Sequence, residues 1–462
     1  MYNKSFYGNN YMLYRKISNL IENHLASHTN SILLIYGARQ IGKTFIIREV
    51  GKKLFKNFIE INMIEDANGP GLFKDVTTVD DFLLHLSMVA GGELGDHDDT
   101  LIFIDEIQEY PELITLLKFL RTKGKYTYIA SGSLLGVHLN GVSSIPMGSI
   151  MKVQMFPLDF EEFLIANNVG REAIEEQKKL FENELSPTPE EHSFFLDLFR
   201  KYLLTGGLPD AVNEYLRSRN IHKIRLIQNE TREFYAMDAA KYDKKNKLKV
   251  ERLYNTIPSF MENKKKRLIV RKIEDKKGKT FSDYASELLY VVNSGIALEV
   301  DAISNPSYPL AESETKSLLK LYMNDPGILS SFFYGDNIKA ILNDEKSINL
   351  GAIYETAVAC QLRANGYDLF YYDNKSKGEV DFIIDDMKTL SVIPLEVKSG
   401  RDFIVHSSLN TFTTNENYGI KKAYVLSNSG TILKKGIITY IPIYWTMFIQ
   451  KQSFSDEELI IP

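Results

Sequence analysis

Eight consecutive residues, Gly37-Ala38-Arg39-Gln40-Ile41-Gly42-Lys43-Thr44, set two glycines, a lysine and a hydroxyl at the spacing G-x-x-x-x-G-K-T. Each residue type has a task in holding phosphate. Glycines let the backbone bend until successive amides point inward. A helix opening near Lys43 adds the positive end of its dipole. Lys43 is expected to reach the β- and γ-phosphates of a nucleotide, and the Thr44 hydroxyl to hold Mg²⁺. Arg39, inside the loop, either touches phosphate or faces solvent. The apolar run ILLIY precedes the loop and an apolar helical stretch follows it, which is the context this pattern requires.

A second source of carboxylates stands in LIFIDEIQEYP. Asp105 ends an apolar run, where it would join the Mg²⁺ shell through water. Glu106 follows and is placed to orient or deprotonate an attacking water. The run NFIEIN lies between the two motifs, so an extra strand separates them. The next apolar run ends at Ser131-Gly132-Ser133, whose hydroxyls suit either a γ-phosphate sensor or a plain turn. Farther along, GEVDFII and PLEVKSG supply Asp381, Glu396 and Lys398 in the arrangement D-x(n)-E-x-K. Two carboxylates on adjoining strands would hold a metal while the lysine stabilises or activates hydroxide. Glu396 and Lys398, two apart on one strand, face the same side. Glu355, on the preceding helix, is a candidate further ligand. The alternative is a structural carboxylate–lysine pair on a sheet edge.

The elements that must position these groups are legible as patterns. Ile17, Leu20, Ile21 and Leu25 predict a leading amphipathic helix. Apolar runs at 32–36, 57–62, 101–105, 126–131 and 151–155 predict buried strands, most separated by helical stretches, hence a parallel sheet covered on both faces. From Leu158 to about Lys241 the pattern is helical. Phe160, Phe163 and Leu164 form one stripe, and Phe194, Phe195, Leu198, Tyr202 and Leu203 another, ended by Gly206-Gly207. Leu208-Pro209 opens the next helix with proline in its first turn. After a basic segment, a helix over 281–293 turns at Ser294-Gly295 into IALEV, and KLYMND supplies a second strand. Helices followed by two short strands are compatible with a winged helix. The last part, from 351, reads as a helix and then alternating strands, a second α/β domain.

Composition narrows the function classes. The 462 residues suggest about three domains. Hydrophobic residues at 44% and charged residues at 25% exclude wholesale disorder. A single cysteine, Cys360, excludes a disulfide framework and a thiolate zinc cage and suits a reducing cytoplasm. Cys360 itself lies on an apolar helix face without an obvious base, and the eight histidines show no ligand spacing. No run approaches the ~18 apolar residues of a membrane span, and the N-terminus lacks the apolar core of a signal peptide. A soluble cytoplasmic protein with no membrane partner is expected. Net charge is −5, but residues 241–280 carry 15 basic and 5 acidic groups. That stretch either meets the phosphates of DNA or RNA or forms a solvated surface. Around 234–254 Tyr and Phe interleave with Lys and either stack bases or pack helices.

GARQIGKT, LIFIDEIQ, YIASGSLL, FPLDFEEFL and YLLTGGLPDAV, in this order, resemble the bacterial and archaeal AAA-type ATPases that carry a C-terminal domain of unknown function. The resemblance implies a P-loop NTPase parallel sheet (1–157), a helical lid (158–245), a winged-helix-like region (246–345) and a C-terminal restriction-endonuclease-like α/β domain (346–462). It implies ATP and Mg²⁺ as cofactors. It also implies an ATPase whose nucleotide state controls a nuclease-like or nucleic-acid-binding module, with a protein partner or a homo-oligomer left open. Relatives often have Gly-Arg where this chain has Gly148-Ser149, so an arginine acting on nucleotide is missing there or supplied elsewhere.

Overall fold

A computed structural model describes residues 6–451 apart from 8–9, 28, 30, 93, 125, 134–148, 243–246, 264–265, 275–277, 314, 344–349, 375, 401–402 and 405. The chain forms two compact units. One comprises residues 12–156 with 288–296, and the other comprises 1–11, 157–287 and 297–462.

The first unit is built on five parallel strands: β1 (Ile32–Tyr36), β2 (Asn57–Asn62), β3 (Thr100–Asp105), β4 (Thr127–Gly132) and β5 (Ile150–Gln154). Their spatial order is β2-β3-β4-β1-β5. Every residue of β3 is buried, as an inner parallel strand with helices on both faces requires. Edge strand β2 is mostly half-buried. Helices Lys43–Leu54 and Pro111–Lys123 cover the sheet, and Leu113, Ile114, Leu117 and Leu120 enter the core with Ile102 and Ile104. The central order places the ends of β1, β3 and β4 side by side. The five strand runs read from the sequence all form within a residue at either end.

The second unit joins helices to an eight-stranded mixed sheet. Its strands are β6 (Ala297–Ile303), β7 (Thr315–Met323), β8 (Phe370–Asn374), β9 (Gly378–Asp386), β10 (Ser391–Lys398), β11 (Ala423–Ser427), β12 (Leu433–Lys435) and β13 (Ile438–Pro442). The order is β12-β13-β11-β10-β9-β8-β6-β7. β6 and β7, expected as the wings of a separate region over 246–345, instead form an antiparallel pair at one edge of this sheet. They are bound to it by parallel pairing of β6 with β8. The helix-then-two-strands pattern is the same in both cases; the partner strand some seventy residues later decides it. The boundary expected at 345/346 therefore falls inside one sheet.

The helices expected as a lid, Phe160–Ala166, Arg171–Glu182, Pro189–Thr205, Pro209–Ser218 and Ile221–Tyr242, belong to this second unit. Thr188 and Glu191 form a capping box ahead of Pro189. Gly206 ends that helix at φ +70, and a Cβ on Gly207 would lie 2.0 Å from the Leu158 carbonyl oxygen. Asp325, fully buried, accepts from the Gly207 amide (2.6 Å) and caps the helix Pro326–Tyr334 through the Ile328 amide (3.0 Å). The TGGLP stretch is thus fixed by a carboxylate over a hundred residues away. Of the expected stripes, Phe194 is exposed. Tyr235 and Tyr254, in the aromatic–lysine stretch, are buried and meet edge to face, so these rings pack helices.

Candidate active site

The loop after β1 has the backbone that its glycines permit. Gly37 has φ +149 and Gly42 φ +92, with Gln40 also left-handed at φ +61. A Cβ on Gly37 would sit 2.2 Å from the Met155 carbonyl oxygen, so side chains are excluded from the loop's first position. Gly42 is the N-cap of Lys43–Leu54, and its left-handed conformation turns the loop into the helix. Arg15, buried beneath, donates to the carbonyls of Ile41 (2.8 Å) and Phe156 (2.5 Å) and ties the loop to the end of the sheet.

Lys43 is buried and donates to the carbonyls of Gly37 (3.1 Å) and Ala38 (2.8 Å). Burial pulls its ammonium down to about 8, against the opposing pull of Glu106 and Asp105. The Thr44 hydroxyl donates to Asp105 Oδ2 at 2.8 Å, and the Ser131 hydroxyl donates to Asp105 Oδ1. Burial raises the Asp105 carboxyl above its ordinary range even so. Glu106 sits at φ +54, a left-handed backbone that is uncommon for a residue other than glycine. Its Oε2 accepts from the Ser133 hydroxyl (3.0 Å) and from Gln108 Nε2 (2.5 Å), and Arg39 Nε donates to the Ser133 oxygen at 3.1 Å.

Gly37, Arg39, Gly42, Lys43, Thr44, Asp105, Glu106, Ser131 and Ser133 therefore converge at the ends of three adjacent strands. Ser131 donates to Asp105 and Ser133 to Glu106, so each serine is bonded to an acidic side chain of the site. This donor set fits a magnesium nucleotide: amides and an ammonium for phosphate, and Thr44 with Asp105 for the metal. Gln108 and Gly295 were not singled out in the sequence. Gln108 is readable only as the third residue after Asp105. Gly295, at φ +77, lies against the loop, and a Cβ there would be 3.1 Å from the Ala38 amide nitrogen. No local signal links it to residue 38. Ser149 contributes its carbonyl to Ile32, and Gly148 lies outside the described residues.

The second constellation forms around β9 and β10. Phe382 pairs with Leu395, so Asp381 and Glu396 come next along the two strands. Asp381 Oδ2 accepts from the Val397 amide at 2.8 Å. Lys398 Nζ donates to Glu396 Oε1 at 2.7 Å, whereas the buried Glu396 Oε2 has no hydrogen-bond partner. Burial, reinforced by Asp381, pushes the Glu396 carboxyl up to about 8. Glu355, on the helix Gly351–Ala364, pairs with Lys266 through Oε1 and accepts from Tyr322 through Oε2 at 3.0 Å. Among the described residues no group of three or more His, Cys, Asp or Glu side chains is arranged to hold a metal ion. The expected ligand trio Glu355, Asp381 and Glu396 is thus brought into one neighbourhood but not assembled. The reason is that lysine ammonium groups already stand on two of the three carboxylates. Burial pushes the Cys360 thiol well above the ordinary range, which disfavours a thiolate there.

Residues 29–164 match the family model described as an AAA domain. Residues 196–338 and 350–446 match two models, each described as a domain of unknown function. An uncharacterized protein of Methanocaldococcus jannaschii is 25% identical over 362 residues, 77% of this chain and 72% of that protein. Among solved structures, a Walker-type ATPase of Pyrococcus abyssi is similar at 14% identity and TM-score 0.42, over 72% of this chain and 96% of the other. AMPPCP-bound DnaA from Aquifex aeolicus is similar at 14% identity and TM-score 0.28, over 60% and 87%. The family match and the loop geometry support an AAA-type ATPase domain and nucleotide binding. Among the described residues no helix is long and apolar enough to cross a membrane.

Proposed function

We propose that this chain binds ATP with Mg²⁺ and hydrolyses it, and that its nucleotide state controls what the second unit does. The observation that carries the first part is the buried Lys43 ammonium, held only a hydrogen bond away from loop carbonyls, beside a Thr44–Asp105 pair. An entering triphosphate replaces neutral carbonyls with charged oxygens and gives Lys43 the counter-charge its burial withholds. Mg²⁺, held by Thr44 and Asp105, would neutralise charge on the transferred phosphoryl group. Glu106 serves as base once it releases Ser133 and Gln108; until then those donors hold its carboxylate ready and away from reaction.

Support for control comes from chain continuity. Gly295 rests against the phosphate loop, and two residues later the chain enters β6 of the mixed sheet. A shift of the loop on binding phosphate is felt at the start of that strand. The second unit is read as a nuclease-like module acting on DNA or RNA, a reading favoured by the unpartnered Glu396 oxygen beside Asp381. Against it, an interaction module that cleaves nothing is favoured by the lysine-paired carboxylates.

The test is turnover of ATP by the purified full chain, with and without DNA. Glu106→Gln should lower turnover roughly 100- to 1,000-fold while ATP still binds, the range expected for loss of a general base. Undiminished turnover in that variant would remove Glu106 from the mechanism. Stimulation by DNA would favour the nucleic-acid reading, and indifference to DNA the protein-partner reading.

A further inference from the structure

The Ser133 hydroxyl serves three side chains at once. It accepts from Arg39 Nε (3.1 Å) and from Gln108 Nε2 (3.4 Å), and it donates to Glu106 Oε2 (3.0 Å). A hydroxyl has one proton to give and two lone pairs to fill, so this oxygen is saturated. While those bonds stand, Ser133 has nothing left for a phosphate. The group that joins the phosphate loop to it is Arg39. Ser133 and Gln108 are each only 2% exposed, whereas Arg39 is half-buried. Of the two donors on Ser133, the one carried by the loop is therefore the one with room to move.

Arg39 is tied to Lys43 as well. Lys43 Nζ holds the carbonyls of Gly37 and Ala38, and the Ala38 carbonyl belongs to the peptide bond that leads into Arg39. On its other side Gln40 has a left-handed backbone at φ +61, so Arg39 sits in a turn and not in a regular element. Burial depresses the Lys43 ammonium, and the charge of Arg39 acts on it in the same direction. Two cations are thus gathered by one loop, where an anion gains from both. With Ser149 at the position where relatives often carry arginine, Arg39 is the guanidinium that the loop itself supplies.

We propose that Arg39 senses the third phosphate of the nucleotide and, by leaving Ser133 for it, releases Glu106 to act on water. This rests on the reading that the loop takes ATP and that Glu106 is the base. When Lys43 turns from the Gly37 and Ala38 carbonyls to phosphate, the peptide that carries Arg39 loses its restraint. A guanidinium gains more from a charged oxygen than from a neutral hydroxyl. A hydroxyl that accepts from a cation is also the stronger donor, so the Ser133–Glu106 bond weakens once Arg39 has gone. A diphosphate lacks the group that draws Arg39 away, and with it Glu106 stays held.

The experiment is calorimetric titration of the full chain with ADP and with AMPPCP, which keeps three phosphates and is not hydrolysed, each with Mg²⁺. Arg39→Ala should weaken AMPPCP binding roughly tenfold or more and ADP binding by less than about threefold, as expected when a charge-assisted bond to the third phosphate is lost. Arg39→Gln carries the same expectation should the alanine variant fail to fold. Ser133→Ala removes the competing partner of Arg39, so AMPPCP should bind roughly threefold more tightly while ADP binding is unchanged. Adding Arg39→Ala to Ser133→Ala should abolish that gain, which assigns it to the Arg39–Ser133 bond. Equal losses for the two nucleotides in the Arg39 variants would leave the ATP reading standing and overturn Arg39 as the sensor. A Ser133→Ala variant that binds AMPPCP no better than wild type would overturn the link to Glu106. Absence of binding of either nucleotide to wild type would overturn the ATP reading and this inference with it.

Discussion

The two lysine–carboxylate sites of this chain are built from similar residues and are poised differently. At the phosphate loop, Lys43 faces backbone carbonyls, and its ammonium is weakened by burial. In the mixed sheet, Lys266 and Lys398 sit directly on carboxylates, and it is a carboxyl, Glu396, whose ionisation burial resists. In the first site the Lys43 ammonium bonds to neutral carbonyls rather than to Asp105 or Glu106. The second is nearly neutralised from within by its own lysines. Residue type alone therefore does not tell a receptive site from a closed one; the partners do.

Exchanging Lys43 breaks the comparison most sharply. Lys43→Met should weaken ATP binding on the order of 100-fold or more, measured by calorimetry, because phosphate would lose its buried charge-assisted donor. The same change should stabilise the nucleotide-free protein at pH 7 in thermal unfolding. Lys43 is depressed to about 8 from 10.5, so its contribution to stability is present above about 10.5 and lost as pH falls through about 8. Wild type should thus recover relative to the variant on going alkaline.

Glu396→Gln probes the opposite site with the opposite sign. The folded carboxyl is raised from 4.5 to about 8, so its contribution is fully present below about 4.5 and lost as pH rises through about 8. Above neutral pH the glutamine variant should unfold at higher temperature than wild type, and the difference should close toward pH 5. A difference that grows toward acid would reverse the assignment.

Thr44→Ala should lower ATP affinity in Mg²⁺ roughly tenfold while leaving affinity in EDTA little changed, the mark of a hydroxyl that serves the metal. The smallest effect is expected at Gly295. Alanine there must adopt φ +77 at a cost of about 1 kcal/mol, so ATP affinity should fall by less than roughly tenfold. A larger loss would mean that the 288–296 segment does more than rest against the loop.

What the sequence made legible follows from locality. The phosphate loop, Asp105 and Glu106 each lie within a dozen contiguous residues, where strand, turn and helix signals coincide with chemistry. The five strands of the parallel sheet were readable as apolar runs for the same reason, as was β10 of the mixed sheet, whereas Leu433–Lys435, with two lysines in three residues, carries no such signal. The partners that decide how each site is poised were not. Lys266 reaches Glu355 across 89 residues, Tyr322 reaches it across 33, and Ser133 reaches Glu106 across 27. Nothing in the residues around Lys266 distinguishes it from the other lysines of a basic stretch. The assignment of β6 and β7 failed likewise, since an antiparallel pair after a helix looks the same whether or not a third strand joins it.

The central claim is that the loop at Lys43 is built to receive a triphosphate. Calorimetric titration of magnesium ATP into the full chain tests it directly, in wild type and in Lys43→Met, at pH 7 and again above pH 8. Saturable binding in wild type, weakening as pH rises past about 8 and all but lost in the methionine variant, is the result expected from a buried lysine that regains its proton on meeting phosphate. No heat in wild type, or equal affinity in both proteins, would contradict it.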